Sequence, residues 1–290
     1  MRCGTTSFGQ GHETSLAQIA AEELGMPMEA VRVIHSDTDA IERGTGTVGS
    51  RSMQHGGSAV HQAAQQVRHK ARDLASHLLE ADPADIVFVR GTVGVAGVPD
   101  RSISWASLVA AAGERKNLPD GMEPGLAAES DFSGDGSFPF GAHCAVVEVD
   151  LETGDARTVR FFAVDDCGRI INPLLAEGQV HGGIAQGIGQ AMFEEVVFDA
   201  EGTPRTGSLL DYQIPSIGEI PQVVTATTET PSPNNPLGAK GIGESGTIGS
   251  TPAIQNAVVD ALSHLGVRHI DMPLTPERVW NALAAARPKS

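Results

Sequence analysis

The sequence predicts an α+β fold of mixed sheets with packed helices, and three observations predict it. Strand and helix signals follow one another without the strict alternation that builds a doubly wound parallel sheet. Two alternating runs meet at Glu152-Thr153-Gly154-Asp155, a β-hairpin signal, in a chain whose other strong signals are helical. No unit recurs at a fixed period, which excludes solenoids and propellers.

Residues 15–24 place Leu16, Ile19, Ala20 and Leu24 at helical spacing, with Thr14 as N-cap, Gly25 at the C′ position and Pro27 beyond. The β-branched run 31–35 reads as a short strand and 37–49 as turns. A long helix is expected over 58–79; it holds few large apolar residues, so it packs on one side only. Residues 86–90 and 92–96 flank Gly91 as a strand pair, and 104–112 form a short helix. The stretch 117–141 is rich in Gly, Pro, Asp and Ser without periodicity, and it joins two expected lobes, 1–116 and 142–290. In the second lobe the hairpin runs over 142–150 and 156–164, followed by a loop at 165–173 and a glycine-punctuated helix over 175–194. Strand candidates near Ser208 and Val223 precede a loop over 231–249. The helix 252–265 sets Ile254, Ala257, Val258, Ala261 and Leu265 on one face and ends at Gly266.

Composition narrows the function classes. Asp and Glu number 36 against 20 Lys and Arg, a net charge of −16, which argues against nucleic-acid binding and against an anionic membrane surface. With 40% hydrophobic and 19% charged residues the chain folds, and its 290 residues suffice to bury a sizeable core. The three cysteines, Cys3, Cys144 and Cys167, have no CxxC spacing, so neither a disulfide framework nor a zinc site is indicated, and a cytoplasmic setting is expected. Neither a signal-peptide pattern nor a run of 18 apolar residues occurs. Glycine, at 34 residues, exceeds the usual share of about 7%, and its placement becomes the main question.

Glycines cluster at 9–14, 44–51, 182–189 and 238–249. Gly44-Thr45-Gly46-Thr47-Val48-Gly49 and Gly241-Ile242-Gly243-Glu244-Ser245-Gly246 both match GxGxxG, but neither has the strand-loop-helix context of a dinucleotide fold. Residues 11–14, 49–52 and 246–250 precede expected helices, where backbone N–H groups can hold an anion, with Arg51 and Lys240 as local charge partners; ordinary turns fit as well. Glu244 lies among Gly243, Gly246 and apolar Ile242. A carboxylate confined there can have a raised pKa and act as a general base, although a solvated loop glutamate or a helix N-terminal charge also fits. His12 and Glu13 lack a second cluster at ligand spacing, which favours a cap or core role over a metal site. Cys167, after two aspartates, reads as a buried thiol.

Four ordered segments together resemble one family. They are residues 9–14 (Gly-Gln-Gly-His-Glu-Thr), 46–52 (Gly-Thr-Val-Gly-Ser-Arg-Ser), 165–173 (Asp-Asp-Cys-Gly-Arg-Ile-Ile-Asn-Pro) with 178–183, and 235–245 (Asn-Pro-Leu-Gly-Ala-Lys-Gly-Ile-Gly-Glu-Ser). In order and spacing they are similar to the molybdenum-binding large subunit of the xanthine dehydrogenase and aldehyde oxidase family, carbon monoxide dehydrogenase type. The likeness covers only the C-terminal part of that subunit. It implies a second molybdopterin-binding domain and a partner chain carrying the N-terminal part, with its own cofactor contacts and substrate-side loop.

The resemblance also implies the site. Gln10, Gly11, His12 and Thr14 would sit at the cofactor, a molybdopterin expected in its cytosine dinucleotide form. Gly49, Ser50, Arg51 and Ser52 would meet the dinucleotide phosphates, and Cys167, Asn172 and Gln179 its tail. Lys240, Gly241, Ile242 and Gly243 would lie by the pterin. Glu244 matches the active-site glutamate, the base that deprotonates a hydroxyl on molybdenum in a water-dependent hydroxylation. No residue of this chain is expected to ligate the metal. Phe8 departs from the family, whose members commonly carry a polar residue there. Electrons would pass to [2Fe-2S] clusters and FAD on partner subunits, since three cysteines cannot hold a four-cysteine cluster. Carbon monoxide, an aldehyde and an N-heteroaromatic all stay open as substrates. The alternative is a noncatalytic cofactor-binding or assembly fragment of such a complex.

Overall fold

A computed structural model describes residues 1–286, and the chain divides into two compact units. The first comprises Met1–Ser137 with Pro231–Ala239; the second comprises Phe138–Thr230 with the chain from Lys240 onward. The crossover at 137/138 falls inside the stretch read as a joint. Most of that stretch is not a free linker, because Leu126 is buried in the first unit's core. Residues 231–239 belong with the first unit, so the expected lobe 142–290 is interrupted; its last four residues lie outside the described ones.

In the first unit, α1 (His12–Leu24) starts earlier than expected, because Gly11 takes a left-handed conformation (φ 72°) that caps the helix ahead of Thr14. Gly25 ends it, also left-handed. Among the described residues the 31–35 run forms no strand ladder: it makes a single parallel bridge, between Arg2 and Ile34. Helix α2 (Ser58–Leu79) occupies the expected residues, entered through a wide turn at Met53–Gly57. Strands β1 (Ile86–Val89) and β2 (Thr92–Val95) pair across Arg90 and Gly91, both at positive φ. A third antiparallel strand, β3 (Val98–Ser104), was not foreseen; its residues are almost all exposed and follow no apolar alternation. Helix α3 (Trp105–Ala112) is capped by Ser104, whose hydroxyl accepts the Ser107 N–H. Leu74, Phe88, Val93, Trp105 and Leu108 form this unit's core.

In the second unit β4 (Phe140–Val149) and β5 (Ala156–Asp166) make the expected hairpin, and β6 (Gln222–Thr228) joins β5 in parallel, giving a mixed sheet. The segment near Ser208 is a turn, closed by Asp211 N–H on the Ser208 carbonyl and by Ser208 Oγ on Asp211. Helices α4 (Pro173–Met192) and α5 (Ser245–Ser263) pack against each other and bury one sheet face over Phe161, Ile184, Ile188, Ile254 and Val258. Helix α5 begins seven residues before the expected start and carries Pro252 in its interior. A proline there costs about 3 kcal/mol. The close packing of Gly246 and Ser250 against α4 offsets it. Helix α6 (Pro276–Ala286) buries Val279 and Leu283 and was not foreseen. Among the described residues no helix is long and apolar enough to cross a membrane.

Candidate functional site

In the first unit the N-terminal segment turns on Gly9 (φ 107°) and Gly11. Gly11, the N-cap of α1, has no side chain to cap the first turn, and of the leading N–H groups that of Glu13 is taken by its own carboxylate. Gln10 lies in this turn, its side-chain carbonyl accepting the Phe8 N–H, while the Phe8 ring is exposed. His12 is buried and its Nδ1 has no hydrogen-bond partner. Burial, the largest influence, lowers its pKa from 6.5, so the ring is neutral at pH 7. Glu13 is held below the usual carboxylate range by its own backbone N–H and then by His35, whose Nε2 stands 2.6 Å from Oε1. Thr14 is half-buried in the first turn.

The 44–52 loop lies against this segment. A side chain at Gly44 would drive its Cβ into the Gly4 carbonyl oxygen, so only glycine permits the approach. Gly46 N–H donates to that oxygen at 3.2 Å, the Thr47 hydroxyl donates to the Thr6 carbonyl, and Ser52 Oγ donates to Thr47 Oγ1 at 2.9 Å. Gly49 (φ 57°) and Ser50 (φ 52°) are successive left-handed residues, a turn that presents adjacent N–H groups. A Cβ at Gly49 would meet nothing within 4 Å, Arg51 is exposed and Ser52 is buried. The first two motifs are thus brought together, one supplying a helix N-terminus and the other a turn with a cationic side chain. That donor set fits an anionic group such as a phosphate.

In the second unit β5 ends in two buried aspartates. Asp166 Oδ1 accepts the Gly168 N–H at 2.9 Å and Lys240 Nζ at 3.0 Å, and Oδ2 accepts the Thr228 hydroxyl at 3.0 Å. Burial, the largest influence, would raise its pKa, but the Gly168 N–H, the Lys240 ammonium and donors from Thr230 hold it well below the usual carboxylate range. The Lys240 ammonium also lies 4.5 Å from the Phe140 ring centroid, and Lys240 N–H donates to the Cys167 carbonyl at 2.6 Å. The Cys167 thiol is pushed up to about 11, first by burial and then by Asp166, and is a neutral thiol at pH 7. Asp165 pairs with His143 Nε2 at 3.2 Å, both side chains 3% exposed. The His143 ring rests on α5 at Gly249, where a Cβ would fall 2.4 Å from Nδ1.

The two aspartates therefore hold both flanks of the 241–244 loop, Asp166 through Lys240 before it and Asp165 through His143 on α5 after it. Gly241 is buried, Ile242 half-buried, and Gly243 and Glu244 are exposed. Glu244 is the N-cap residue of α5, and its carbonyl accepts the Ile248 N–H at 3.0 Å. Of the surroundings left open for Glu244, the structure shows the helix N-terminal charge: the carboxylate belongs to an exposed residue at the start of α5. The expected anion loop at 246–250 is corrected, since those residues are helical. Gly246 packs on Gly183, and Ser250 fills the space beside Gly187, so these two glycines of the 182–189 cluster serve a helix crossing.

Cys167 and Lys240 to Glu244 are brought together, whereas Asn172 and Gln179 are carried by α4. Asn172 caps that helix, its side-chain oxygen accepting the Leu175 N–H at 3.0 Å with Pro173 in the first turn. Asp165, Asp166 and His143 were missed as site-shaping residues. The signal was present: two carboxylates ending an apolar strand must find partners if buried. His143 faces Ala163 across the hairpin, which makes Asp165 its diagonal neighbour. Among the described residues no three of His, Cys, Asp and Glu converge as a metal site.

A family model described as a molybdopterin cofactor-binding domain matches residues 1–221. The chain is 42% identical over 283 residues to the carbon monoxide dehydrogenase large chain of Hydrogenophaga pseudoflava, covering 97% of this chain and 35% of that one. It is equally 42% identical, with the same coverage of both chains, to the 6-hydroxypseudooxynicotine dehydrogenase complex subunit gamma of Paenarthrobacter nicotinovorans. Quinoline 2-oxidoreductase from Pseudomonas putida 86 matches in structure with a TM-score of 0.88 and 42% identity, covering 99% of this chain and 36% of that one. The chain thus spans about a third of the length of the curated relatives it matches.

Proposed function

Because the chain belongs to the molybdopterin cofactor-binding domain family, we propose that it forms part of a molybdenum hydroxylase that oxidises a small molecule with oxygen derived from water. The observation that carries this reading is the placement of Glu244: a carboxylate at the exposed N-terminus of α5, on a loop held by a buried ion pair on one side and a buried His–Asp pair on the other. The bound cofactor, in its cytosine dinucleotide form, supplies the two-electron redox centre. The chain's own groups do the rest. Gln10, Gly11, His12 and Thr14 would line the cofactor's approach. Gly49, Ser50, Arg51 and Ser52 hold its phosphates, Arg51 by charge and the others by backbone and hydroxyl donors. Cys167, as a neutral thiol, and Asn172 and Gln179 border its tail, while Lys240 to Gly243 form the wall by the pterin.

Lys240 serves there as the anchor of the loop, since its ammonium is already paired with Asp166. The Glu244 carboxylate takes the proton that the attacking oxygen must lose, a step in which a positioned base contributes roughly 10²–10⁴-fold. Partner chains carrying [2Fe-2S] clusters and FAD would accept the electrons. A polypeptide carrying the remainder of the large-chain sequence completes the pocket around Glu244.

The test is Glu244→Gln in the assembled complex, with molybdenum and pterin content measured beside turnover. The expected result is full cofactor content with turnover reduced at least 100-fold. Wild-type turnover in the variant would refute the base. Native preparations without molybdenum and without a second large-chain polypeptide would refute the catalytic reading and favour an assembly fragment.

A further inference from the structure

Among the described residues, helices cover one face of the second unit's mixed sheet, and Lys240 reaches only the Phe140–Asp166 end of the other. Phe161 and Ala163 point to the helices and are 0% and 1% exposed. Their neighbours along β5, Phe162 and Val164, point to the other face and are 38% and 40% exposed. Register extends this face across all three strands. Cys144, Phe162 and Val224 form one cross-strand row, and Ala142, Val164 and Ala226 the next; all six side chains are exposed. A solvent-facing sheet surface normally alternates to polar residues. Here two consecutive rows are wholly apolar, and polar residues return in the rows on either side, at Arg160 and Gln222 beyond one and at Asp166 and Thr228 beyond the other.

We propose that this face is the seat of the polypeptide carrying the remainder of the large-chain sequence, docked through apolar side chains centred on Phe162. The proposal rests on the reading that the chain works within a larger molybdenum subunit, and it names the surface that does so. Relatives matched over 97% of this chain are nearly three times as long, so in them this fold is accompanied by roughly twice its own length of polypeptide. A contiguous apolar face with a polar rim is the character of a permanent interface. A second copy is the weaker occupant, because two chains of net charge −16 repel one another.

Cys144 lies beside Phe162 at the centre of the face, and the other two cysteines are buried, so N-ethylmaleimide reads the surface directly. Labelling is followed by peptide mass spectrometry in the purified chain and in its complex with the second large-chain polypeptide. The expected result is rapid modification of Cys144 in the chain alone and at least tenfold protection in the complex. Phe162→Asp is expected to weaken association at least tenfold, whereas Leu210→Asp, at a residue 94% exposed, leaves it unchanged. A complex that forms with Cys144 unprotected overturns the assignment of this face while leaving the hydroxylase reading intact. Concentration-dependent protection in the chain alone assigns the face to a second copy and also overturns it. Failure to recover any second large-chain polypeptide removes the occupant and the hydroxylase reading together.

Discussion

Replacing Lys240 by Met tests whether the Asp166 ion pair holds the Glu244 loop. The pair is nearly sealed from solvent, Lys240 at 9% and Asp166 at 0% side-chain exposure, with Nζ 3.0 Å from Oδ1. Removing one partner of a buried pair strands the other charge, at a cost of about 3–5 kcal/mol. Asp166 keeps the Gly168 N–H and the Thr228 hydroxyl, which places the expected loss at the lower end, about 3 kcal/mol. With a urea m-value of roughly 2 kcal/mol/M, the midpoint of the second unit falls by about 1.5 M. Trp280 on α6 reports this unit once Trp105, in the first unit's core, is changed to Phe in both proteins. The pH dependence has a definite sign. The folded-state pKa of Asp166 lies below its unfolded value, so the pair's contribution is complete above pH 4 and is lost as pH falls through the folded-state value. The penalty of Lys240→Met is therefore full at pH 7 and shrinks under strong acid. A midpoint shift below about 0.3 M at pH 7 would show that solvent or other donors already satisfy Asp166, and the bracing argument would fail.

Two further outcomes follow from the same unit. Gly183→Ala puts a Cβ 2.8 Å from Gly246 Cα and 2.9 Å from Thr247 N, backbone atoms that cannot swing aside, and overpacking of this kind costs about 1–3 kcal/mol. Calorimetry should show the melting temperature falling by roughly 2–4 °C per kcal/mol, while Gly178→Ala on the same helix, with nothing within 4 Å of its new Cβ, melts no lower than the parent. Equal melting of all three proteins would remove the glycine crossing as a packing constraint. Cys167, with its thiol pushed up to about 11 from 9.0, favours the folded state fully below pH 9 and loses that contribution as pH rises towards 11. Cys167→Ala should flatten the second unit's alkaline loss of stability, measured as urea midpoints from pH 8 to 10.5; an unchanged slope would place its cause elsewhere.

The readability of each element in the sequence follows from whether its signal is local. Helix Ser58–Leu79 and the hairpin around Gly154 were foreseen because side-chain periodicity and turn chemistry act within a few residues. Strand β3 escaped because it is exposed along its length and so carries no apolar alternation. The 31–35 run has strand composition, but a ladder needs a partner, and its neighbour offers a single bridge. The start of α5 was misplaced for a different reason: Pro252 is a local stop signal, and it is overruled by packing that involves residues 60 or more positions away.

The same division governs the glycines and decides how Glu244 is to be understood. Glycines at 9, 11, 46 and 49 adopt positive φ, where the residue is chosen for its backbone conformation. Gly183, Gly187, Gly246 and Gly249 have none of that conformation; each is small because backbone, the Ser250 side chain or the His143 ring occupies the place of its Cβ. In sequence the two kinds look alike, and a run such as Gly241-Ile242-Gly243-Glu244-Ser245-Gly246 mixes loop and helix. Only packing separates them: the glycines after Glu244 draw α5 onto α4 and onto His143, which sets the helix to begin at Ser245. The position of the carboxylate is thus determined one turn downstream of it. A substitution at Gly249 should displace the α5 N-terminus, and with it Glu244, without touching the 241–244 loop itself.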